Sequence, residues 1–104
     1  MDGKGQIVFR PMEVRDIPGV QVVERHCFTM PWSRGIFHNE LTKNDNAYYV
    51  VAELDNEIIG YAGVWIILDE GHITNIAVHP KYQRRGIGRT LMETITAYAA
   101  QRGA

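Results

Sequence analysis

Two closely spaced glycines in a basic stretch are the strongest chemical signal in the sequence, and they lie in residues 83–88 (QRRGIG). The stretch separates a strand-like run that ends at Val78 from a helical pattern that starts at Ile87. The first-turn N–H groups of a helix have no intrahelical partner, and the helix dipole adds positive charge at that end. Glycine lets the backbone approach an anion closely, and the neighbouring arginines add charge. The stretch therefore predicts a phosphate-binding helix N-terminus.

Two common phosphate-binding motifs do not fit this stretch. A Walker A loop ends in Gly-Lys-Ser/Thr, whereas Gly88 is followed by Arg89 and Thr90. A dinucleotide-binding fingerprint has a third glycine three residues after the second, where this chain has Leu91. The remaining alternative is that the glycines only make a tight helix entry and the arginines face solvent. The strand-loop-helix context favours the anion site.

The elements that precede this stretch can be predicted from periodicity. Residues 7–10 predict a strand that Pro11 stops, and Asp16 predicts the N-cap of a first helix. One face of that helix carries five residues at helical spacing: Ile17, Val20, Val23, Glu24 and Cys27. Ser33 predicts the cap of a second helix with its apolar positions at Ile36, Phe37 and Leu41.

Three strands and a last helix are predicted next. Residues 48–54 and 58–68 are strand-like around a turn at 55–57, and a turn at 69–71 leads into a strand over 72–78. The three apolar residues that end this strand indicate a bulge or burial on both faces. The last helix has one apolar face, with Gly103 as its stop: Leu91, Met92, Ile95, Tyr98 and Ala99. This order predicts an α+β fold, with helices packed on a largely antiparallel sheet.

The composition is that of an ordinary soluble globular protein and predicts one domain over residues 1–104, with residues 1–5 disordered. Of the 104 residues, 45% are hydrophobic and 22% charged, and the net charge of −1 gives no global attraction for nucleic acid or an anionic membrane. The longest apolar stretch, residues 61–68, is far shorter than a membrane span. One cysteine and the lack of a secretion signal lead us to expect a cytoplasmic location.

On these residues the chain is identified as a member of the GNAT superfamily of N-acetyltransferases. The superfamily's cofactor motif, Gln/Arg-x-x-Gly-x-Gly/Ala, matches residues 83–88, and residues 75–82 resemble its fourth strand and the following loop. Within the superfamily, the segments MPWS, LDE and NIAV resemble bacterial ribosomal-protein-alanine N-acetyltransferases: residues 30–33, 68–70 and 75–78. The resemblance runs from Ile7 to Gly103. It implies a GNAT-like sheet flanked by helices, acetyl-CoA as cosubstrate without a metal, and a protein N-terminus, such as that of a ribosomal protein, as acceptor.

The resemblance also implies roles for particular residues. The backbone of the fourth strand would bind the pantetheine arm and the acetyl carbonyl at Ile76, Ala77 and Val78. Met30 and Trp32 would form one wall of the acceptor groove. N–H donors at the strand bulge would stabilise the oxyanion that forms when an amine attacks the thioester. The pyrophosphate would be lined by the loop and the helix start: Arg84, Arg85, Gly86, Ile87, Gly88 and Arg89.

No residue of this chain is assigned as the catalytic acid or base. In the ribosomal-protein enzymes the base is a Glu on a fifth strand and the acid is a Tyr after the fourth helix, whereas this chain stops at Ala104, just past the cofactor helix. We therefore expect a truncated chain, to which a second chain could supply a strand at the open sheet edge. The alternative is a non-catalytic acyl-CoA-binding module or an inactive fragment that keeps the cofactor cleft.

The remaining candidates have ordinary explanations. Glu70 lies near the position where other GNAT members place a base, and we expect a solvent-exposed turn carboxylate. Cys27 is expected in the core and not as a nucleophile, whereas Trp32 suits packing and substrate contact equally. Lys81 and the arginines form too small a cluster for nucleic-acid binding. No metal-ligand spacing links the four histidines: His26, His38, His72 and His79.

Overall fold

A computed structural model describes residues 6–103, so residues 1–5, which we expect to be disordered, lie outside the described part. Single 3₁₀ turns precede the first helix (Val14–Asp16) and the last (Pro80–Tyr82). The main elements follow the predicted order: β1 Val8–Pro11, α1 Ile17–Cys27, α2 Arg34–Thr42, β2 Ala47–Leu54, β3 Glu57–Ile67, β4 Glu70–Val78 and α3 Ile87–Gln101.

The four strands form one antiparallel sheet in the order β1-β2-β3-β4, which confirms the predicted sheet and places β4 at its edge. Asp55 and Asn56, with φ of 52° and 68°, make the tight turn between β2 and β3, as residues that tolerate the left-handed region do. The turn predicted at 69–71 is wrong in its extent. Glu70 and Gly71 already belong to β4, where their pairing with β3 extends the strand towards the turn.

Helices cover both faces of the sheet. α1 and α2 pack on one face over Tyr49, Val51, Tyr61 and Ala77, and α3 packs on the other face over a second apolar cluster. Ala77 belongs to the first cluster, while its two neighbours in β4 pack against the second. The run of three apolar residues at the end of β4 therefore reflects burial on both faces.

A β-bulge interrupts the pairing of β3 with β4. Gly63 pairs with Asn75 and Val64 pairs with Ile73, so Thr74 is the extra residue on β4. The bulge that the sequence suggested for the end of this strand thus exists, but it lies two residues before Ile76.

The helix starts differ in how well they were predicted. Ser33 caps α2 as expected, since its Oγ accepts from the Ile36 N–H at 3.2 Å. Asp16 occupies the N-cap position of α1 as predicted, but its side chain makes no capping bond, because its carboxylate is held by Arg10 and by the Glu13 N–H.

Two apolar positions predicted for helix faces are wrong. Ile36 is 44% exposed, and Met92 is 38% exposed. Phe37 and Leu91 are fully buried as predicted. Among the helices of residues 6–103, none is both long and apolar enough to cross a membrane.

Candidate functional site

A groove of about 420 Å³ lies where the end of β4 meets the end of α1 and the start of α3, and we call it the edge groove. It brings together six of the predicted site residues and Gln83, the first residue of the predicted phosphate-binding stretch, with three residues that were not predicted. Its lining consists of Cys27, Phe28, Ile76, Ala77, Val78, Tyr82, Gln83, Arg84, Ile87 and Gly88. The sequence motif and the open edge of β4 therefore face one cleft.

The wall formed by β4 exposes backbone polar groups to the edge groove. The His79 N–H donates to the Ile59 carbonyl at 2.8 Å, so this residue directs its polar groups towards β3. Along a strand these directions alternate, so Ile76 and Val78 direct their N–H groups away from β3, towards the edge. The carbonyl of Val78 confirms this direction, because it accepts from Gln83 Nε2 at 2.9 Å.

The opposite wall is the start of α3. Its first i−4 hydrogen bond runs from the Thr90 N–H to the Gly86 carbonyl at 3.1 Å, so the amides of residues 87–89 precede the helical ladder. Gly86 has a φ of 79°, which a residue with a Cβ adopts only under strain. A Cβ at Gly88 would meet only Cγ2 of Val78, at 3.7 Å. Gly86 is thus required by the turn, whereas Gly88 keeps space open.

Three exposed arginines give the α3 end its positive charge. Arg84 lines the edge groove, whereas Arg85 and Arg89 do not. The guanidinium of Arg85 lies 5.5 Å from the ring centre of Tyr82, which is on the lining. Within residues 6–103 no carboxylate lies at salt-bridge distance from these arginines, so their charge is not neutralised there.

Cys27 and Phe28 line the edge groove, although the sequence did not place them there. The Cys27 thiol donates to the Val78 carbonyl at 3.3 Å. Burial and the charge of Glu24 raise the pKa of Cys27, which agrees with the expectation that it is not a nucleophile. The sequence placed Cys27 at the end of α1, and this position was the signal that could have indicated a place near the edge groove. The contact with β4 depends on tertiary packing, which the sequence pattern does not show.

The residues proposed for the acceptor wall lie outside the edge groove, in the connection between α1 and α2. Met30 is 87% exposed. The Trp32 ring packs on Phe37, with ring centres 5.4 Å apart, and the backbone N–H of Trp32 donates to Oε2 of Glu24 at 2.9 Å. Glu24 is 1% exposed. Sequence periodicity placed this residue on the apolar face of α1 but did not predict a hydrogen-bond partner for it.

Other candidates do not join the edge groove. The exposed Glu70 carboxylate lies 3.1 Å from Nε2 of His72, consistent with the surface carboxylate that we expected. In the part of the chain from 6 to 103, no three His, Cys, Asp or Glu side chains come together as a metal-binding group. A larger, open depression of about 1090 Å³ between α1 and the β2–β3 turn contains none of the predicted site residues.

Sequence comparison adds independent information on this arrangement. A model of the acetyltransferase (GNAT) family matches residues 17–104. A Bacillus subtilis protein provisionally named a ribosomal protein bS18-alanine N-acetyltransferase is 37% identical over 97% of this chain and 67% of its own length. The Escherichia coli ribosomal protein bS18-alanine N-acetyltransferase is 32% identical over 88% of this chain. The chain spans 61% of that Escherichia coli relative.

Solved structures share the fold. The Escherichia coli ribosomal-protein-S18-alanine N-acetyltransferase superimposes with a TM-score of 0.83 and 28% identity over 94% of this chain and 62% of the other. The PaiA N-acetyltransferase of Thermoplasma acidophilum, solved in complex with coenzyme A, superimposes with a TM-score of 0.85 and 18% identity, covering 94% of this chain and 74% of the other.

Proposed function

Because this chain belongs to the GNAT family of acetyltransferases, we propose that its edge groove binds acetyl-CoA and that the acetyl group passes to a protein N-terminal amine. The observation that carries the proposal is the meeting of two walls in one groove. One wall is the open backbone edge of β4, and the other is the first turn of α3. An acyl-CoA has a matching pair of features, an amide-bearing arm and a pyrophosphate.

Each wall suits one part of the cofactor. The pyrophosphate would lie at the first turn of α3, where partner-free amides, the helix dipole and Arg84 all favour negative charge. The pantetheine arm would run along β4 and accept hydrogen bonds from the N–H groups of Ile76 and Val78. The thioester would then lie near the bulge at Thr74.

The transfer step needs charge stabilisation and a free amine. When the amine attacks the thioester carbonyl, negative charge develops on its oxygen, and a preorganised N–H at the edge of β4 can stabilise it. As the C–N bond is formed, the C–S bond would break and coenzyme A would leave as its thiolate. A protein α-ammonium has a pKa of about 8 and must lose a proton before it attacks. No carboxylate is among the described residues that line the edge groove. The proton acceptor is therefore solvent or a group outside that lining.

The names of two relatives support a class of acceptor for this proposal. Both are named ribosomal protein bS18-alanine N-acetyltransferases, and their identity of 32–37% supports an acceptor of the same class for this chain, which we take to be a protein N-terminus that begins with alanine. The exposed Met30 and the half-buried Trp32 would form the wall against which this N-terminus lies.

The cofactor proposal can be tested with a matched pair of variants at the second residue of a helix. Gly88→Glu puts a carboxylate at the anion-binding turn of α3, and we expect the dissociation constant for coenzyme A to rise at least about tenfold. Gly35→Glu makes the same change at the second residue of α2, where the nearest atom to a new Cβ is Ser33 Oγ at 3.8 Å. We expect this control to keep wild-type affinity. Calorimetry measures both, and equal affinity in the two variants would refute the site.

Turnover separates an enzyme from a module that only binds acyl-CoA, since both would use the edge groove. The chain is mixed with acetyl-CoA and a short peptide with a free N-terminal alanine, and released thiol is measured against the same peptide acetylated at its N-terminus. Thiol release that depends on the free amine supports the transferase. Coenzyme A binding without such release favours the non-catalytic module.

A further inference from the structure

Glu24 is a buried carboxylate for which the mechanism above has no use. It lies on the sheet-facing side of α1 between apolar neighbours and is 1% exposed. No cation pairs with it among residues 6–103. An unpaired carboxylate in such a place is costly, and a well-packed apolar residue often serves stability as well or better. Its hydrogen bonds therefore call for a specific explanation.

The two oxygens of Glu24 join two different parts of the molecule. Oε2 accepts from the Trp32 N–H at 2.9 Å, in the connection between α1 and α2. Oε1 accepts from the Tyr61 hydroxyl, on β3. Burial and this hydrogen bond raise the pKa of Tyr61, so its hydroxyl remains a donor. Tyr61 pairs with Ala77, which lines the edge groove.

Aromatic packing also connects Trp32 with Tyr61. The Trp32 ring lies 5.4 Å from the ring of Phe37, and Phe37 meets Tyr61 edge-on at 5.7 Å. Trp32 is thus held twice against β3, through its main chain by Glu24 and through its side chain by Phe37. The residues just before it are exposed, with Met30 at 87%. Glu24 is the only buried side chain on α1 that hydrogen-bonds this connection in residues 6–103.

We propose that Glu24 is a positioning residue that sets the distance between the acceptor wall, Met30 to Trp32, and the cofactor strand β4. The inference rests on the proposed function, because it assigns the wall to an acceptor. Glu24 touches neither substrate nor cofactor. Its carboxylate supplies one acceptor for the main chain of the wall and one for the hydroxyl of Tyr61. It therefore acts through Trp32 and Tyr61.

A second pair of glutamate and tyrosine in the same fold provides a control. Glu40 of α2 accepts from the Tyr49 hydroxyl and from Trp65 Nε1, each at 2.6 Å, and from Asn44 Nδ2 at 3.0 Å. None of these partners belongs to the connection between α1 and α2. Glu40→Gln therefore disturbs a comparable carboxylate network without touching the acceptor wall.

The test compares Glu24→Gln and Tyr61→Phe with Glu40→Gln. Glu24→Gln replaces one acceptor oxygen by an NH2 donor and removes the negative charge, so either the Trp32 backbone N–H loses its acceptor, or it donates to a neutral oxygen while the Tyr61 hydroxyl turns to accept. We expect amide exchange at Trp32, followed by NMR, to accelerate at least about tenfold, as for loss of a hydrogen bond to a charged group. Tyr61→Phe, which keeps the carboxylate, should accelerate it less. Glu40→Gln should leave it at the wild-type rate.

Binding data complete the test. On the coenzyme A complex, a short peptide with an N-terminal alanine should bind at least about tenfold more weakly to Glu24→Gln than to the wild type, while coenzyme A affinity stays within about twofold. Equal peptide affinity, or an equal loss in Glu40→Gln, would overturn the positioning role. A wild-type chain that binds coenzyme A but no peptide would also overturn it. A wild-type chain that does not bind coenzyme A would instead refute the proposed function, and the Trp32 exchange rates would still decide what Glu24 holds.

Discussion

At the scale of a single residue, Asp16 is a buried carboxylate held by an ion pair with Arg10. It is 6% exposed, and each of its carboxylate oxygens accepts from one terminal nitrogen of Arg10 at 2.8 Å. The Glu13 N–H adds a third bond at 2.8 Å. Burial alone would raise the pKa of Asp16, but the hydrogen bonds from Arg10 and Glu13 outweigh it, and the pKa is lowered. The fold therefore favours the ionised form.

This lowered pKa leads to a prediction about acid stability. Since the folded pKa lies below the unfolded value of about 3.9, the contribution of Asp16 is present above that value and is lost as the pH falls through the folded pKa. Asp16→Asn should lower the free energy of unfolding at neutral pH by about 2 kcal/mol and flatten its decline in acid. Urea denaturation across this range measures both effects. The exposed Asp69→Asn serves as control, and a variant at Asp16 with the wild-type acid decline would contradict the prediction.

Among the elements, the packing of β2, β3 and β4 depends on a glycine, Gly63. The ring of Tyr49 on β2 lies across Gly63 of β3. A Cβ at Gly63 would come within 2.6 Å of Cδ2 of that ring and 2.8 Å of Thr74 Oγ1, at the bulge of β4. The same tyrosine donates to Glu40 of α2, so the ring cannot move without breaking that bond.

Gly63→Ala should therefore destabilise the fold by about 1–3 kcal/mol, the usual range for overpacking. Gly35→Ala is the control, because a Cβ there meets only Ser33 Oγ, at 3.8 Å, and alanine suits a helix better than glycine. Its stability should equal or slightly exceed that of the wild type. Thermal unfolding of the two variants decides the matter, and equal midpoints would show that the Tyr49 ring has room to shift.

Local pattern predicted the order of the elements and the Ser33 cap, because periodicity and capping depend on neighbours in sequence. It did not predict features set by distant partners. Glu70 joins β4 because it pairs with Ile67, and Asp16 turns away from α1 because Arg10 binds it. At the site, the motif predicted the α3 wall, whereas Cys27 reaches Val78 only through packing across 51 residues of sequence.

On the scale of the whole molecule, the sheet divides the interior into two apolar clusters, and the edge groove draws on both. Ala77 belongs to the cluster under α1 and α2, whereas Ile87 belongs to the cluster under α3. Both residues line the groove. A ligand that fills it therefore contacts both layers of the fold, and its binding should stabilise the molecule against global unfolding.

We expect this linkage to be visible in thermal unfolding. Coenzyme A at about 100 times its dissociation constant adds about 2.7 kcal/mol to the stability of the folded state. For a chain of this size that raises the midpoint by roughly 10 °C or more. A tenfold rise in the dissociation constant would reduce this stabilisation to about 1.4 kcal/mol, so Gly88→Glu should show about half of the shift or less at the same concentration. Gly35→Glu should show the full shift. A midpoint that does not respond to coenzyme A in the wild type would contradict the proposed groove.

The saturated carbonyl of Val78 restricts what can lie along β4. Its two lone pairs accept hydrogen bonds from Gln83 and Cys27, so a ligand along β4 can bond to the N–H of Val78 but not to its carbonyl. An extended peptide, which offers N–H and C=O groups in alternation, would leave an amide unsatisfied there. A ligand arm that places a carbonyl beside Val78 would leave no group unsatisfied, because it accepts from the Val78 N–H. The backbone of the strand edge therefore selects ligands by their hydrogen-bonding groups, independently of side-chain contacts. Addition of a strand from another polypeptide is disfavoured at this point of the sheet.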